Sequence, residues 1–283
     1  MSIFSDYGPT PLRTDRFEFA DVDAFLARAT HPPDERIKRI ASINSHTEAA
    51  FGQFATFEEA ATRARLGWPD GLECLKTAAA IAETPQGVAS LIPAPVFADE
   101  GDEVAIDRFL DAEADCWVSF PATVTPARGR VVSVIVHCGG NGLVQPSAWV
   151  NRGAAALSLI DSLERAGYRV EVTIATVSQT QERTFQFSCI IKRAEDALDL
   201  DRMAFFLMSS SVQRRFLFRL RETSAAPCHW ATASMGSTRP IPAEVIPDGA
   251  IYFPAPSNRL TEEQAAQQAA DLLAAYLDSP AAA

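Results

Sequence analysis

Reactive side chains gather in few places along this chain, and the most promising is His137-Cys138-Gly139-Gly140-Asn141-Gly142. It follows an apolar run, Val131 to Val136, and precedes a long segment with helical periodicity. An imidazole at the carboxyl end of a strand sits where ligands of α/β sheets gather, so His137 is the best single candidate for acid–base chemistry. The glycines could offer backbone amides to an anion at a helix start. The pattern departs from a dinucleotide fingerprint, however. Gln145 takes the place of the last glycine, and Thr176 and Ser178 stand where an acidic ribose ligand is expected. No Gly-Lys-Ser/Thr is present, which excludes a P-loop. The glycines then read as a tight strand-to-helix turn.

His137-Cys138 and Cys228-His229 together resemble a divided set of zinc ligands. If Cys228 to Ser234 is a strand parallel and adjacent to Val131–Val136, the two pairs fall at opposite ends of the sheet. At ~3.3 Å per residue that is roughly 15–20 Å, too far for one ion. Ser234 and Ser237 bring hydroxyls to the same edge, but no base lies near them and no Gly-x-Ser-x-Gly occurs. Asp107, Asp111, Glu113 and Asp115, among Val104, Ile106, Phe109, Leu110 and Trp117, lack the glycine of a calcium loop and read as a solvated face. Arg214, Arg215 and Arg219 could form a basic face for nucleic acid or an acidic partner. The simpler expectation is a solvated helix face answering nearby carboxylates. No catalytic residue, cofactor or metal is assigned.

The elements that must position these residues are clearest from Arg130 to Arg193. Val131–Val136 is β-branched and nearly unbroken, as a strand covered on both faces requires. Ser147–Ala166 is apolar almost all round, and Gly167 stops it. Arg169–Val177 is a second strand, parallel to the first through a right-handed crossover. The short polar link Ser178–Arg183 returns Thr184–Ile191 antiparallel, as an edge strand. Asp199 caps a helix, a further helical run spans Val212–Leu220, Ala250–Phe253 is another strand, and Thr261 with Gln264 forms a capping box for the closing helix. Before this lies a mainly helical α+β region, residues 1–129. It holds a possible short strand at Phe17–Phe19, a helix over Ala20–Ala29, and a capping box at Thr56–Glu59 whose helix ends at Gly67. Trp68 is expected to cap a small core there.

The chain has 283 residues, a net charge of -11 and mean hydropathy near zero. That balance argues against general capture of nucleic acid or anionic membrane. Five scattered cysteines, no evident signal peptide and no long apolar run predict a reducing, cytoplasmic setting without a membrane span.

The order strand, helix, strand, antiparallel hairpin partner, helices, strand, strand, closing helix over residues 130–283 resembles a von Willebrand factor A-like domain. The resemblance rests on that order and on the GRVVSVIVHCGG and NRGAAALSLIDSLERAGYRVEV stretches. It implies a doubly wound, mostly parallel sheet with one antiparallel edge strand. In that family the first strand ends in a metal-binding Asp-x-Ser-x-Ser; here His137 to Asn141 stand instead. The layout is also similar to uncharacterised proteins of phages and plasmids. The resemblance implies a non-enzymatic protein-binding or scaffold role, with His137, Cys138, Gly140, Asn141, Ser234 and Ser237 on the partner edge. The alternatives are an enzyme acting on a small or phosphorylated ligand at the same loop, and nucleic-acid binding through Arg214–Arg221.

Overall fold

The computed structural model describes residues 13–32, 53–71, 73, 96–101, 103–111, 113–119, 130–224 and 237–279. The expected strand at Cys228–Ser234, and with it Ser234 and the second half of the zinc argument, lies outside the described residues.

The chain opens with strand β1 (Arg13–Phe19) and helix α1 (Val22–Ala29), whose N-cap Asp21 accepts the Ala24 amide. Helix α2 (Phe57–Leu66) follows, capped by Thr56 and closed at Gly67. A separate small sheet holds β2 (Val96–Ala98), β3 (Glu103–Val104) and β4 (Trp117–Ser119), with helix α3 (Ile106–Leu110) between the last two. Then come β5 (Val131–His137), α4 (Pro146–Arg165), β6 (Arg169–Gln179) and β7 (Arg183–Lys192). Helix α5 (Leu200–Met208) leads into a π-helix, Val212–Leu217, and directly into α6 (Phe218–Glu222). Strand β8 (Ser237–Arg239), a 3₁₀ turn at Ala243–Val245, β9 (Ile251–Phe253) and α7 (Glu262–Leu277) complete it.

The main sheet runs β1-β7-β6-β5-β9, with β8 also on β6. It is mostly parallel: β1 on β7, β5 on β6 and β9 on β5 are parallel, while β6–β7 and β6–β8 are antiparallel. The antiparallel strand is present but does not lie at an edge, because β1 pairs with β7 along its whole length. A bidentate Arg183–Asp15 pair, at 2.7 and 3.1 Å, and a 3.0 Å bond from Arg16 Nε to Gln186 fix that register. Residues from both sides of position 129 therefore build one sheet.

Alternation along the strands separates the two faces. Val132, Val134 and Val136 of β5, Val170, Val172 and Ile174 of β6, and Phe185 and Phe187 of β7 enter the main core with α1, α4, α5 and α7. The opposite face packs Ile135, Ala175 and Val177 against Ile241 and Val245. Among the described residues the helices thus gather on one face, rather than on both as a doubly wound sheet requires. Aromatic rings bind the N-terminal elements to this core: Phe25 lies 5.0 Å from Phe187 and 5.9 Å from Phe216, and Phe57 lies 5.5 Å from Phe216. Trp68 is buried against Phe54, as a core-capping residue should be.

Helices α4 and α5 approach unusually closely at Gly153. A Cβ built there would stand 2.4 Å from the Leu207 carbonyl oxygen, a backbone atom that cannot swing away. Gly153→Ala should therefore cost about 1–3 kcal/mol. Gly142→Ala, where nothing lies within 4 Å, should change stability by less than about 0.5 kcal/mol. Denaturant unfolding of the two variants checks the contrast.

Candidate functional site

The carboxyl edge of β5 and β6 is held from below by buried polar groups. Strand β5 pairs with β6 only as far as Ala175, and β8 takes over the same side of β6 from Val177. His137 joins the two strands that share this edge. Its Nε2 lies 3.0 Å from the Arg239 carbonyl oxygen, and its Nδ1 accepts the Gly139 amide at 3.0 Å, which fixes the neutral Nε2–H tautomer. The ring is fully buried, and burial lowers its pKa to about 4. Cys138 is also sealed, its thiol raised by burial to about 12.

The loop that follows is clamped. Gln213 of the π-helix accepts the Gly140 amide at 2.9 Å and donates to the Gly140 carbonyl at 2.8 Å. Thr238 of β8 donates to the same carbonyl at 3.1 Å. Neither glycine tolerates a side chain: a Cβ at Gly139 would meet Thr176 Oγ1 at 2.3 Å, and one at Gly140 would meet the Trp149 ring at 2.7 Å. The loop tip, Asn141 to Leu143, is exposed.

Beneath it lies Arg152, fully buried on α4. It donates through Nη1 to the His137 carbonyl and through Nη2 to the Leu207 carbonyl at 3.1 Å, and sits 5.4 Å from the Trp149 ring. Burial lowers its pKa to about 10, so it stays charged at neutral pH. The arginines of the π-helix and α6 are also buried, not presented to solvent. Arg214 donates to the Asn141 carbonyl at 2.7 Å, Arg215 to that of Phe54, and Arg219 to that of His31 at 3.3 Å. Arg219 also pairs with Glu222 and lies 4.4 Å from the Phe57 ring, while Arg221 donates to Ser178 at 2.8 Å over Phe185. A solvent-facing basic surface at Arg214, Arg215 and Arg219 is thereby corrected to an interior brace.

Of the expected edge residues, the structure brings His137, Cys138 and Gly140 together inside the protein. It leaves Asn141 and Ser237 at the surface. One accessible feature at this edge is a crevice of about 590 Å³ between the loops after β5 and β9, lined by Gln145, Ser147, Asn151, Arg259, Thr261 and Glu262. Asn141 bonds Asn258 at 2.9 Å, Gln145 N bonds the Asn258 carbonyl at 3.0 Å, and Asn151 bonds the Leu260 carbonyl at 2.9 Å, so the two loops are tied into one wall. Glu262 Oε1 is buried and has no hydrogen-bond partner among the described residues. Among those residues no cluster of His, Cys, Asp or Glu is arranged to hold a metal ion, and no helix is long and apolar enough to cross a membrane. Sequence reasoning missed Arg152, Gln213 and this crevice. An arginine next to the small-residue run Gly153–Ala156 in a helix with many apolar positions was the available signal for the first.

Two outcomes follow. Arg152→Lys replaces a planar two-nitrogen fork, whose Nη1 and Nη2 each reach a different carbonyl, with one ammonium nitrogen, and should cost about 1.5–3 kcal/mol in denaturant unfolding. Because the folded pKa of His137 lies below its unfolded value of 6.5, its contribution is complete above pH 6.5 and is lost as pH falls from 6.5 towards 4. Over that window wild type should lose stability with a slope one proton steeper than His137→Asn, measured by unfolding across pH.

A family profile described as a domain of unknown function (DUF7192) matches residues 10–277. No curated protein and no solved structure matches the chain. The chain belongs to the DUF7192 family.

Proposed function

We propose that this member of the DUF7192 family is a non-enzymatic protein-binding scaffold with an A-domain-like core. It engages its partner protein in the crevice between the Asn141–Gln145 loop and the start of α7. The observation that carries the reading is Glu262 Oε1, a buried carboxylate oxygen in the crevice wall without a hydrogen-bond partner among the described residues. Such an acceptor is costly to leave unmet and fits a donor from a bound chain. Arg259 supplies a complementary donor in the same crevice.

The strand order supports the A-domain likeness, since antiparallel β7, then β6, β5 and β9 follow one another across the sheet. In such folds the carboxyl edge is the binding edge. Here Gln213 and Arg152 stiffen that edge, which favours a preformed protein-binding surface. An enzyme reading has less support, because the imidazole and thiol of the edge are buried and held in their neutral forms. A nucleic-acid reading loses its surface, since the arginines it needs face inward.

The test is affinity capture from the native cell with the full chain and with Arg259→Glu and Glu262→Lys variants, Gln268→Glu on the same helix serving as control. Wild type and control should enrich the same specific proteins, and both crevice variants should lose them at least about tenfold. Equal recovery by all four baits, or no specific protein at all, overturns the reading.

A further inference from the structure

The small sheet carries a helix built inside out. Helix α3 turns Arg108 toward the small sheet: its guanidinium sits 4.3 Å from the Phe97 ring centroid and donates from Nε to the Asp115 carbonyl at 3.1 Å. It also pairs with Glu113 at 2.5 Å and Asp115 at 2.6 Å. The apolar residues of α3 face the other way. Ile106, Phe109 and Leu110, spaced i, i+3 and i+4, are 70%, 61% and 75% exposed. Trp117 and Val104, directly opposite one another across β3 and β4, are also exposed. A surface helix normally does the reverse, burying its apolar stripe and solvating its charges. Exposed apolar rows rimmed by polar groups mark interaction sites.

The rim identifies the occupant. Residues 96–119 hold eight carboxylates against the single Arg108, a formal charge of -7. Asp99, Glu100, Asp111, Glu113 and Asp115 are exposed around the apolar row. A second copy would set one acidic rim against another, and anionic lipid or nucleic acid would be repelled in the same way. A cationic amphipathic helix meets both demands, with apolar anchors for the α3 row and lysines or arginines for the rim.

We propose that the outward face of α3, with Trp117 and Val104 beside it, is a docking surface for a basic amphipathic helix of a partner protein. This surface is separate from the crevice at the carboxyl edge, so the two assignments stand or fall independently.

The full chain can be titrated into fluorescein-labelled synthetic helices, one of leucine and lysine and one of leucine and glutamate, with binding read by anisotropy. The leucine–lysine helix should bind and the leucine–glutamate helix should not. Phe109→Ser with Leu110→Ser should weaken binding at least about tenfold. Asp99→Lys with Asp111→Lys should do the same, and added salt should weaken the wild-type complex. All four positions are exposed, so circular dichroism and thermal melts should stay unchanged. The proposal is overturned if both helices bind alike or if the variants bind as wild type does. It also fails if the chain self-associates through Phe109 and Leu110 in sedimentation, or if it binds phosphatidylglycerol vesicles through them.

Discussion

A buried guanidinium joins the sheet to its helical layer. Arg152 reaches from α4 to the last carbonyl of β5 and to a carbonyl in the final turn of α5. Both acceptors are orphans of their own elements: a strand end beyond its ladder and a helix C-terminus, whose partial negative charge favours a cation. The desolvation of one positive charge is thus offset by two backbone groups that would otherwise be buried without partners. Gly153, the next residue, removes the side chain that would hold α4 and α5 apart. The position of the loop after β5, and of the crevice beyond it, depends on this junction.

The same principle extends through the second half of the sheet. Along β6 the helix-facing residues change from Val170, Val172 and Ile174 to Thr176 and Ser178, and the core changes from oily to polar with them. Arg221 meets Ser178 at that polar end over the Phe185 ring, and Arg214, Arg215 and Arg219 of the same helical run are likewise buried on main-chain oxygens. The π-helical winding of Val212–Leu217 points consecutive polar residues into the protein, so Gln213 can clamp Gly140 while Arg214 holds Asn141. The loop after β5 is thus held by buried side chains of the π-helix.

How much of this was legible in the sequence follows from the range of each interaction. Strands β5 to β7, helix α4 and the caps at Thr56, Asp199 and Thr261 were readable because their signals are local: β-branched runs, apolar periodicity and side chains that reach only three residues. Strand β1 reads RTDRFEF, half charged, and its claim to the sheet lies in a partner strand far along the chain; β7 therefore looked like an edge. His137 was correctly placed at a strand end, but what covers it was not readable, since β8 supplies the Arg239 carbonyl from a remote segment. The arginines misled for a related reason. Their acceptors are backbone oxygens of His31, Phe54 and Asn141, which carry no mark in a sequence.

The parallel seam between β1 and β7 also bears on how the chain reaches its native state. Asp15 and Arg183 meet across 168 residues, and the pairing is parallel, so no hairpin can zip it from a nearby turn. Local contacts can assemble β5, α4, β6 and β7 early, while closing so long a loop is entropically slow. Until then β7 presents a free edge with Phe185 and Phe187 on one of its faces, a template for pairing with another nascent chain. Docking of β1 covers that edge and so limits its exposure to aggregation.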